Sequence, residues 1–441
     1  MSRGLAAKRN LHVLLPLFLG SVIAYLDRVN IAYAALTMNA DLGFSARVFG
    51  MGAGIFFVGY VLFEVPGALI AERWSPRVWL VRIMLTWGIV SAFMAFIHSE
   101  WQFYLVRFLL GAAEASFYPV AYASVIPRWY LPAERPRAIA AMLTSLQVSA
   151  IVGSPFAGWL LGVSAFGLKG WQVLFLTEAA PAVVFGVVLY FWLADWPREV
   201  GWLSDEEKRF LTKEYELDVE RKNALRSYSV LAALRDPEVL KLCVIYFLWI
   251  TGFWGFNYWM PTVLKEMSGW STFSIGWIVV VPMSLSLAGM ILAGYSSSRT
   301  GEKRWHGAVP MLLGAIGLGV GTFIENPMIN LVFVCIAAIG VYGAFGAWWS
   351  YPTTFLSGAA AAGAVGLINS FGNIGGYVGP YLTGFVKDLT GSYHAAYVAL
   401  ACMLLVSGLL MLTLGKTDSS PDSTEVLIEY RTAKTSKTLK K

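Results

Sequence analysis

The sequence predicts an all-α integral membrane fold, twelve transmembrane helices in two pseudo-symmetric six-helix bundles. Three observations carry that prediction. The chain of 441 residues is 57% hydrophobic and only 14% charged, where a soluble domain is nearer a quarter charged. It holds about twelve apolar runs, each close to the roughly 20 residues a helix needs to cross the hydrocarbon. Its halves also echo each other: Arg73/Arg299, Arg77/Lys303 and Trp79/Trp305 all stand 226 residues apart, each set just after the second run of its half.

In chain order the runs are 11–37, 49–71, 78–97, 101–126, 137–162 and 171–193, then 239–264, 272–295, 306–324, 328–350, 361–386 and 393–415. Glu325-Asn326-Pro327 supplies the turn between the ninth and tenth. The organisation follows: a cytoplasmic N-terminal tail over 1–10, a six-helix bundle over 11–193, a cytoplasmic linker over 194–238, a second bundle over 239–415 and a cytoplasmic tail over 416–441. Glu206-Glu207-Lys208-Arg209 makes the linker a solvated helix, and the Ser, Thr, Asp and Lys of the tail read as disorder. Arg3, Lys8 and Arg9 before the first run, with Ala32-Tyr33-Ala34 behind it, imitate a signal peptide. Asp27-Arg28 interrupts the imitation and many spans follow, so the first run is read as an uncleaved helix.

Lysine and arginine orient the spans. Of 33 such residues, Arg47, Lys169, Lys265 and Lys387 fall on one side, and Arg28 and Arg107 lie inside spans. The remaining 27 fall on the other side, which places both termini in the cytoplasm. The net charge of +6 thus reports orientation and calls for no nucleic acid. Cys243, Cys335 and Cys402 all lie in predicted spans and suggest no disulfide framework. His12, His98, His306 and His394 have no metal-ligand spacing, so no metal is expected. Gly415-Lys416-Thr417 imitates the end of a phosphate loop, but Leu410 stands where the earlier glycine is required. No ATP site or catalytic constellation is visible; the reading is not an enzyme and calls for no cofactor.

Charges inside spans are costly and usually line a water-filled path. Asp27 and Arg28 adjoin in the first run, and Arg107 and Glu114 stand two helical turns apart on one face of the fourth, roughly 10 Å along the axis. Burial raises a carboxylate's proton affinity and a nearby arginine lowers it, so such pairs can exchange protons on demand. An arginine's planar fork also suits a carboxylate ligand. The plainer alternatives are a structural ion pair at 27/28, a packing-locked neutral acid at Glu114, and an Arg107 that ties helices together through carbonyls.

Several motifs give this chain a family resemblance. They are Leu26-Asp27-Arg28-Val29-Asn30-Ile31-Ala32, Glu64-Val65-Pro66 with Glu72-Arg73, and Arg107-Phe108-Leu109-Leu110-Gly111-Ala112-Ala113-Glu114-Ala115. Later come Gly153-Ser154-Pro155-Phe156-Ala157-Gly158, Pro352-Thr353-Thr354-Phe355-Leu356-Ser357-Gly358 and Asn369-Ser370-Phe371-Gly372-Asn373-Ile374-Gly375-Gly376. Over about residues 11–415 the chain resembles the major facilitator superfamily and, within it, the anion:cation symporter family, nearest to bacterial permeases for tartrate-like carboxylates. It departs from the superfamily pattern at Ser75-Pro76, where glycine is usual, and at Ser298, where an acid is common. The departures put an equal gating ion pair at both copies in doubt.

The resemblance implies proton-coupled uptake of a small organic anion, a hydroxy acid or sugar acid, by alternating access. It makes Asp27 and Glu114 the protonatable pair and Arg28 a carboxylate ligand, with Arg107 biasing Glu114. Tyr60, Gln147, Asn257, Tyr258, Trp349, Asn369 and Asn373 are polar or aromatic positions on other spans that would complete the substrate cavity. The alternatives for these are interhelical hydrogen bonding, packing and an interfacial belt. Glu72, Arg73 and Arg299 are candidates for a cytoplasmic gate, against a purely topological role. The partners expected are the anion, protons and the lipid bilayer, with the chain working as a monomer. Facilitated diffusion, anion exchange, Na⁺ coupling and a non-transporting membrane sensor are the competing functions.

Overall fold

A computed structural model describes residues 3–224, 236–349, 351 and 358–414. Residues 225–235 of the linker, Pro352–Ser357 of the motif before the eleventh run, and the tail from 416 lie outside the described residues. Among the described residues ten helices are long and apolar enough to cross a membrane, so the chain is a multi-pass integral membrane protein. They are α1 (Gly4–Leu42), α2 (Ala46–Arg73), α3 (Pro76–Phe96), α4 (Glu100–Trp129), α5 (Arg135–Leu160) and α6 (Gly170–Trp192), then α7 (Pro237–Ser268), α8 (Thr272–Thr300), α10 (Pro327–Trp348) and α12 (Tyr393–Leu412). The other two expected spans are helices as well, α9 (Arg304–Gly321) and α11 (Gly358–Thr390), diluted by glycines and by Arg304, His306, Asn369 and Asn373. Among the described residues the β structure is one isolated bridge, Ala165 to Leu168.

Local chemistry sets the helix ends. Ser45, Ser75, Ser99, Ser271 and Ser392 each accept a hydrogen bond from a backbone N–H in the first turn of the helix that follows. Asp236 and Asn326 do the same ahead of Pro237 and Pro327. These side chains satisfy donors that a helix start leaves unpaired, and proline at the first position gives up an N–H that had no partner. Gly43 and Gly269 close α1 and α7 in the left-handed conformation at φ 68°, which a side chain would disfavour.

The packing repeats between the halves. Helix α1 packs on α5, α2 on α4 and α3 on α6; the second half repeats this as α7 on α11, α8 on α10 and α9 on α12. Among the described residues the halves pack chiefly through three helix pairs: α2 with α11, its counterpart α5 with α8, and α1 with α7. The expected solvated helix is Asp205–Ala224, tied to the first half by Arg135–Asp218 at 2.8 Å and by Lys8–Glu207 at 2.9 Å just inside its start.

One boundary is corrected. The first ten residues are not an extended tail: helix begins at Arg3, and α1 passes through a π turn at Asn10–Leu14. Arg9 is buried because Glu134 and the Trp129 carbonyl satisfy its guanidinium, at 2.7–3.0 Å and 2.9 Å.

The halves close on each other at the face opposite the chain ends. Asp388, near the end of α11, accepts hydrogen bonds from Ala46 and Arg47 N–H at the start of α2 (3.1 and 2.9 Å). A carboxylate there offsets the positive end of the helix dipole. Below it the two helices nearly touch: a Cβ on Gly50 would stand 2.4 Å from the Pro380 carbonyl oxygen. A cleft of about 680 Å³ opens beside this contact, between Arg47, Tyr104, Tyr381 and Asp388; the intramembrane charges are not part of it.

Candidate substrate and proton site

The two adjacent charges of α1 point different ways, as neighbours on a helix must. Arg28 turns to the bundle interior and pairs directly with Glu114 of α4. Both are buried. Rings surround the guanidinium: Phe56 at 5.1 Å, Tyr60 at 5.2 Å, Tyr118 at 5.8 Å and, from the second half, Trp254 at 5.8 Å to the ring centroids. Aromatic faces attract a cation in a dry setting, yet Arg28 Nε has no hydrogen-bond partner among the described residues. One face of the guanidinium fork is therefore uncommitted.

Backbone geometry presents Glu114 there. Helix α4 breaks at this residue: Ala115 is extended and Ser116 takes a left-handed φ of 73°. Pro119 contributes, since it cannot donate to the carbonyl four residues back, which its ring also crowds. The Ser116 hydroxyl accepts from Trp79 Nε1 at 3.0 Å and donates to its neighbour's carbonyl.

Asp27 lies on the other side of α1, facing α3. It accepts from Trp87 Nε1, Ser91 Oγ and, at 2.9 Å, Asn30 Nδ2. Near Asn30 lies Glu178 of α6, a buried acid whose Oε2 has no hydrogen-bond partner among the described residues. The spacing of Arg107 and Glu114 does not bring them together. Arg107 instead donates to the carbonyls of Gly52 (3.1 Å) and Ala53 (3.3 Å) on α2 and to the Tyr258 hydroxyl (3.4 Å). The carbonyl-tying alternative describes its contacts, with a link to the second half added.

The cavity positions divide. Tyr60 and Tyr258 stand at Arg28 and Arg107. Asn257 accepts from the Tyr342 hydroxyl at 2.6 Å, and Tyr342 lies 3.4 Å from the Tyr25 hydroxyl across the interface between halves. Gln147 donates to Met290 Sδ at 3.3 Å and leaves its Oε1 without a partner among the described residues. Trp349 packs edge-on against Tyr246 at 5.3 Å and is half-buried.

Asn369 and Asn373 hold a group that was not anticipated as a site: they donate to the two oxygens of Glu64 on α2, at 2.9 and 3.2 Å.

The three gate candidates do not meet. Glu72 pairs with Arg128 of its own half at 3.0 Å, Arg73 is exposed, and Arg299 lies over the Tyr295 ring at 4.7 Å. The missed residues are Glu64, Glu178, Tyr118 and Trp254. For the two acids the signal was present, since each sits in an apolar run as Glu114 does.

Residues 17–380 match the family described as Major Facilitator Superfamily. An Agrobacterium vitis protein named "Putative tartrate transporter" is 44% identical, over 90% of this chain and 91% of its own length. "Putative metabolite transport protein NicT" of Pseudomonas putida is 40% identical, over 89% and 90%. Among solved structures, a D-xylose-proton symporter superposes with a TM-score of 0.75, covering 93% of this chain and 99% of its own. At 15% identity that likeness is one of fold.

Proposed function

The chain belongs to the major facilitator superfamily, transporters rather than enzymes, and from that premise we propose that it carries a small organic anion inward together with protons. The single observation that carries the proposal is the buried Arg28–Glu114 pair inside its aromatic cage. A carboxylate already sits on Arg28, whose guanidinium also meets the Trp254 ring of the second half. An incoming anion takes its place at the guanidinium fork, where two parallel hydrogen bonds are available. Glu114, displaced and still buried, cannot keep its charge beside a second anion and takes up a proton. Anion and proton therefore enter the cavity together.

The rest of the site extends this scheme. Tyr60 and Tyr258 pack on the bound acid, the free Gln147 Oε1 accepts from a substrate hydroxyl, and Asn257, Trp349, Asn369 and Asn373 supply the second half's contacts. Asp27, on α1 and buried against α3, is the second protonatable acid and registers the movement of α1 against α3. Arg107 links α2 to Tyr258 across the halves, and so senses their separation. Alternating access is the rocking of the two bundles about the interface, with Glu72, Arg73 and Arg299 near the cytoplasmic opening. The lysine and arginine bias supports cytoplasmic termini and a bacterial inner membrane. The chain needs the bilayer, protons and its anion as partners, acts as a monomer, and requires neither cofactor, metal nor nucleic acid. A relative named for tartrate supports a hydroxy acid as the substrate class.

The test is external pH in weakly buffered, de-energised cells overproducing the protein as organic acids are added singly. Alkalinisation by a hydroxy acid, absent in Arg28→Ala cells, is the expected result. Labelled uptake of that acid with no movement of pH would contradict proton coupling.

A further inference from the structure

Glu64 resembles a substrate more than a support. It lies one helical turn beyond Tyr60 on α2, with its side chain buried, yet it pairs with no cation among the described residues. Its two oxygens instead receive one amide hydrogen bond each, from Asn369 at 2.9 Å and Asn373 at 3.2 Å. The two asparagines share a face of α11, four residues apart, in the other half of the molecule. Paired carboxamides that donate to both oxygens of one carboxylate would hold a free acid's carboxylate in the same way. Arg28 and Glu114 repeat the relation on the first half, a cationic receptor with a side-chain carboxylate seated on it. The two receptors flank Tyr60, whose ring carries Arg28 at 5.2 Å.

We infer that Glu64 occupies the subsite for a second substrate carboxylate, so that the transported anion is a dicarboxylate bridging Arg28 to Asn369 and Asn373, with Glu64 leaving as it binds. This rests on the reading of Arg28 as the first carboxylate's ligand. Glu64 is then an internal competitor. The charged and titratable groups that face it are Arg28 from α1, Tyr60 from its own helix and Tyr246 from α7, with Glu114 of α4 beyond Tyr60. With the substrate's carboxylates on both receptors, Arg28 is the only cation among these groups. Glu64 therefore leaves as the neutral acid, which adds a proton to the one taken by Glu114. A monocarboxylate needs Arg28 alone and leaves Glu64 where it is.

The experiment is calorimetric titration of the purified full-length protein in nanodiscs with L-tartrate and, separately, with D-glycerate. Glu64→Gln keeps the shape of the side chain and removes the competing charge. It should tighten L-tartrate near neutral pH by about tenfold, the equivalent of one pKa unit of displaced like charge, and flatten the pH dependence of that affinity. D-glycerate affinity should not move. Glu64→Ala, which leaves both asparagines without their acceptor, should act in the same direction and covers the case of a misfolded glutamine variant. Equal shifts for the two acids, or weaker tartrate binding in both variants, would overturn the assignment of Glu64 while leaving the Arg28 site standing. Failure of the unaltered protein to bind either acid would overturn the Arg28 reading itself, and this inference with it.

Discussion

The Arg28 guanidinium on α1 and the Glu114 carboxylate on α4 form a direct ion pair, 86 residues apart in sequence and walled by rings from α2, α4 and α7. Breaking a buried pair by removing one partner typically costs about 3–5 kcal/mol, because it strands a charge in a dry site. An anion that replaces Glu114, with Glu114 protonated, avoids that cost. The pair is thus stable only as a whole or in exchange for a substrate, and that makes it a coupling device.

Replacing Arg28 by lysine keeps the charge and loses the planar fork. One charge-assisted hydrogen bond to the substrate should disappear, about 1.5–3 kcal/mol, so KM should rise by roughly 10–100-fold. Initial rates of labelled anion uptake measure this. An unchanged KM would show that the carboxylate binds elsewhere.

Asp27 satisfies Trp87, Ser91 and Asn30 and does not touch Arg28. Asp27→Asn offers one acceptor oxygen where three donors converge, and it should destabilise the fold by about 1–3 kcal/mol. Thermal unfolding in detergent should register that loss. Anion affinity should stay near its original value while concentrative uptake fails. A fall in affinity as deep as that of Arg28→Lys would place Asp27 in the anion site instead.

Hydrogen bonds from Arg9 hold the Glu134 carboxyl below the usual carboxylate range. A group whose folded pKa is depressed contributes stability that is present above its unfolded value and lost as pH falls through the folded one. The protein should therefore be more stable than Glu134→Gln near neutrality. The gap should shrink as pH drops below about 4.3, the ordinary value for glutamate. Melting curves against pH give the comparison; a gap that widens in acid would reverse the sign.

At the opposite face, Gly50→Ala would place a Cβ 2.4 Å from the Pro380 carbonyl oxygen. Backbone cannot yield as a flexible side chain does, so α2 and α11 must part there. Maleimide labelling of a cysteine at Ser45, with Cys243, Cys335 and Cys402 replaced, should accelerate. Slower labelling would mean the contact tightens and would contradict the closure described at that face.

Much of this molecule was legible in the chain because a bilayer imposes strict rules. Ten of the expected spans met length and apolarity together, and the turn at Glu325-Asn326-Pro327 and the solvated helix after Asp205 fell where their residues required. Arg28 and Glu114 stood out as charges in apolar runs. What sequence spacing cannot carry is side-chain direction across helices. Arg107 and Glu114 share a spacing, but a break at Ala115–Ser116 and two carbonyls on α2 separate their partners. Glu64 stands in an apolar run as Glu114 does, but the partners that make it a site lie on α11, some 305 positions away. Arg9 reads as an orienting charge because Glu134, which buries it, lies 125 residues on.

The most direct test is Glu114→Gln reconstituted in liposomes, with accumulation of a labelled hydroxy acid under an imposed pH gradient set against counterflow of the same acid without one. A proton can no longer be taken up at that position, while Arg28 remains to bind the anion. Counterflow should persist and gradient-driven accumulation should vanish. Accumulation at the rate of the unaltered protein would contradict the coupling role of the Arg28–Glu114 pair.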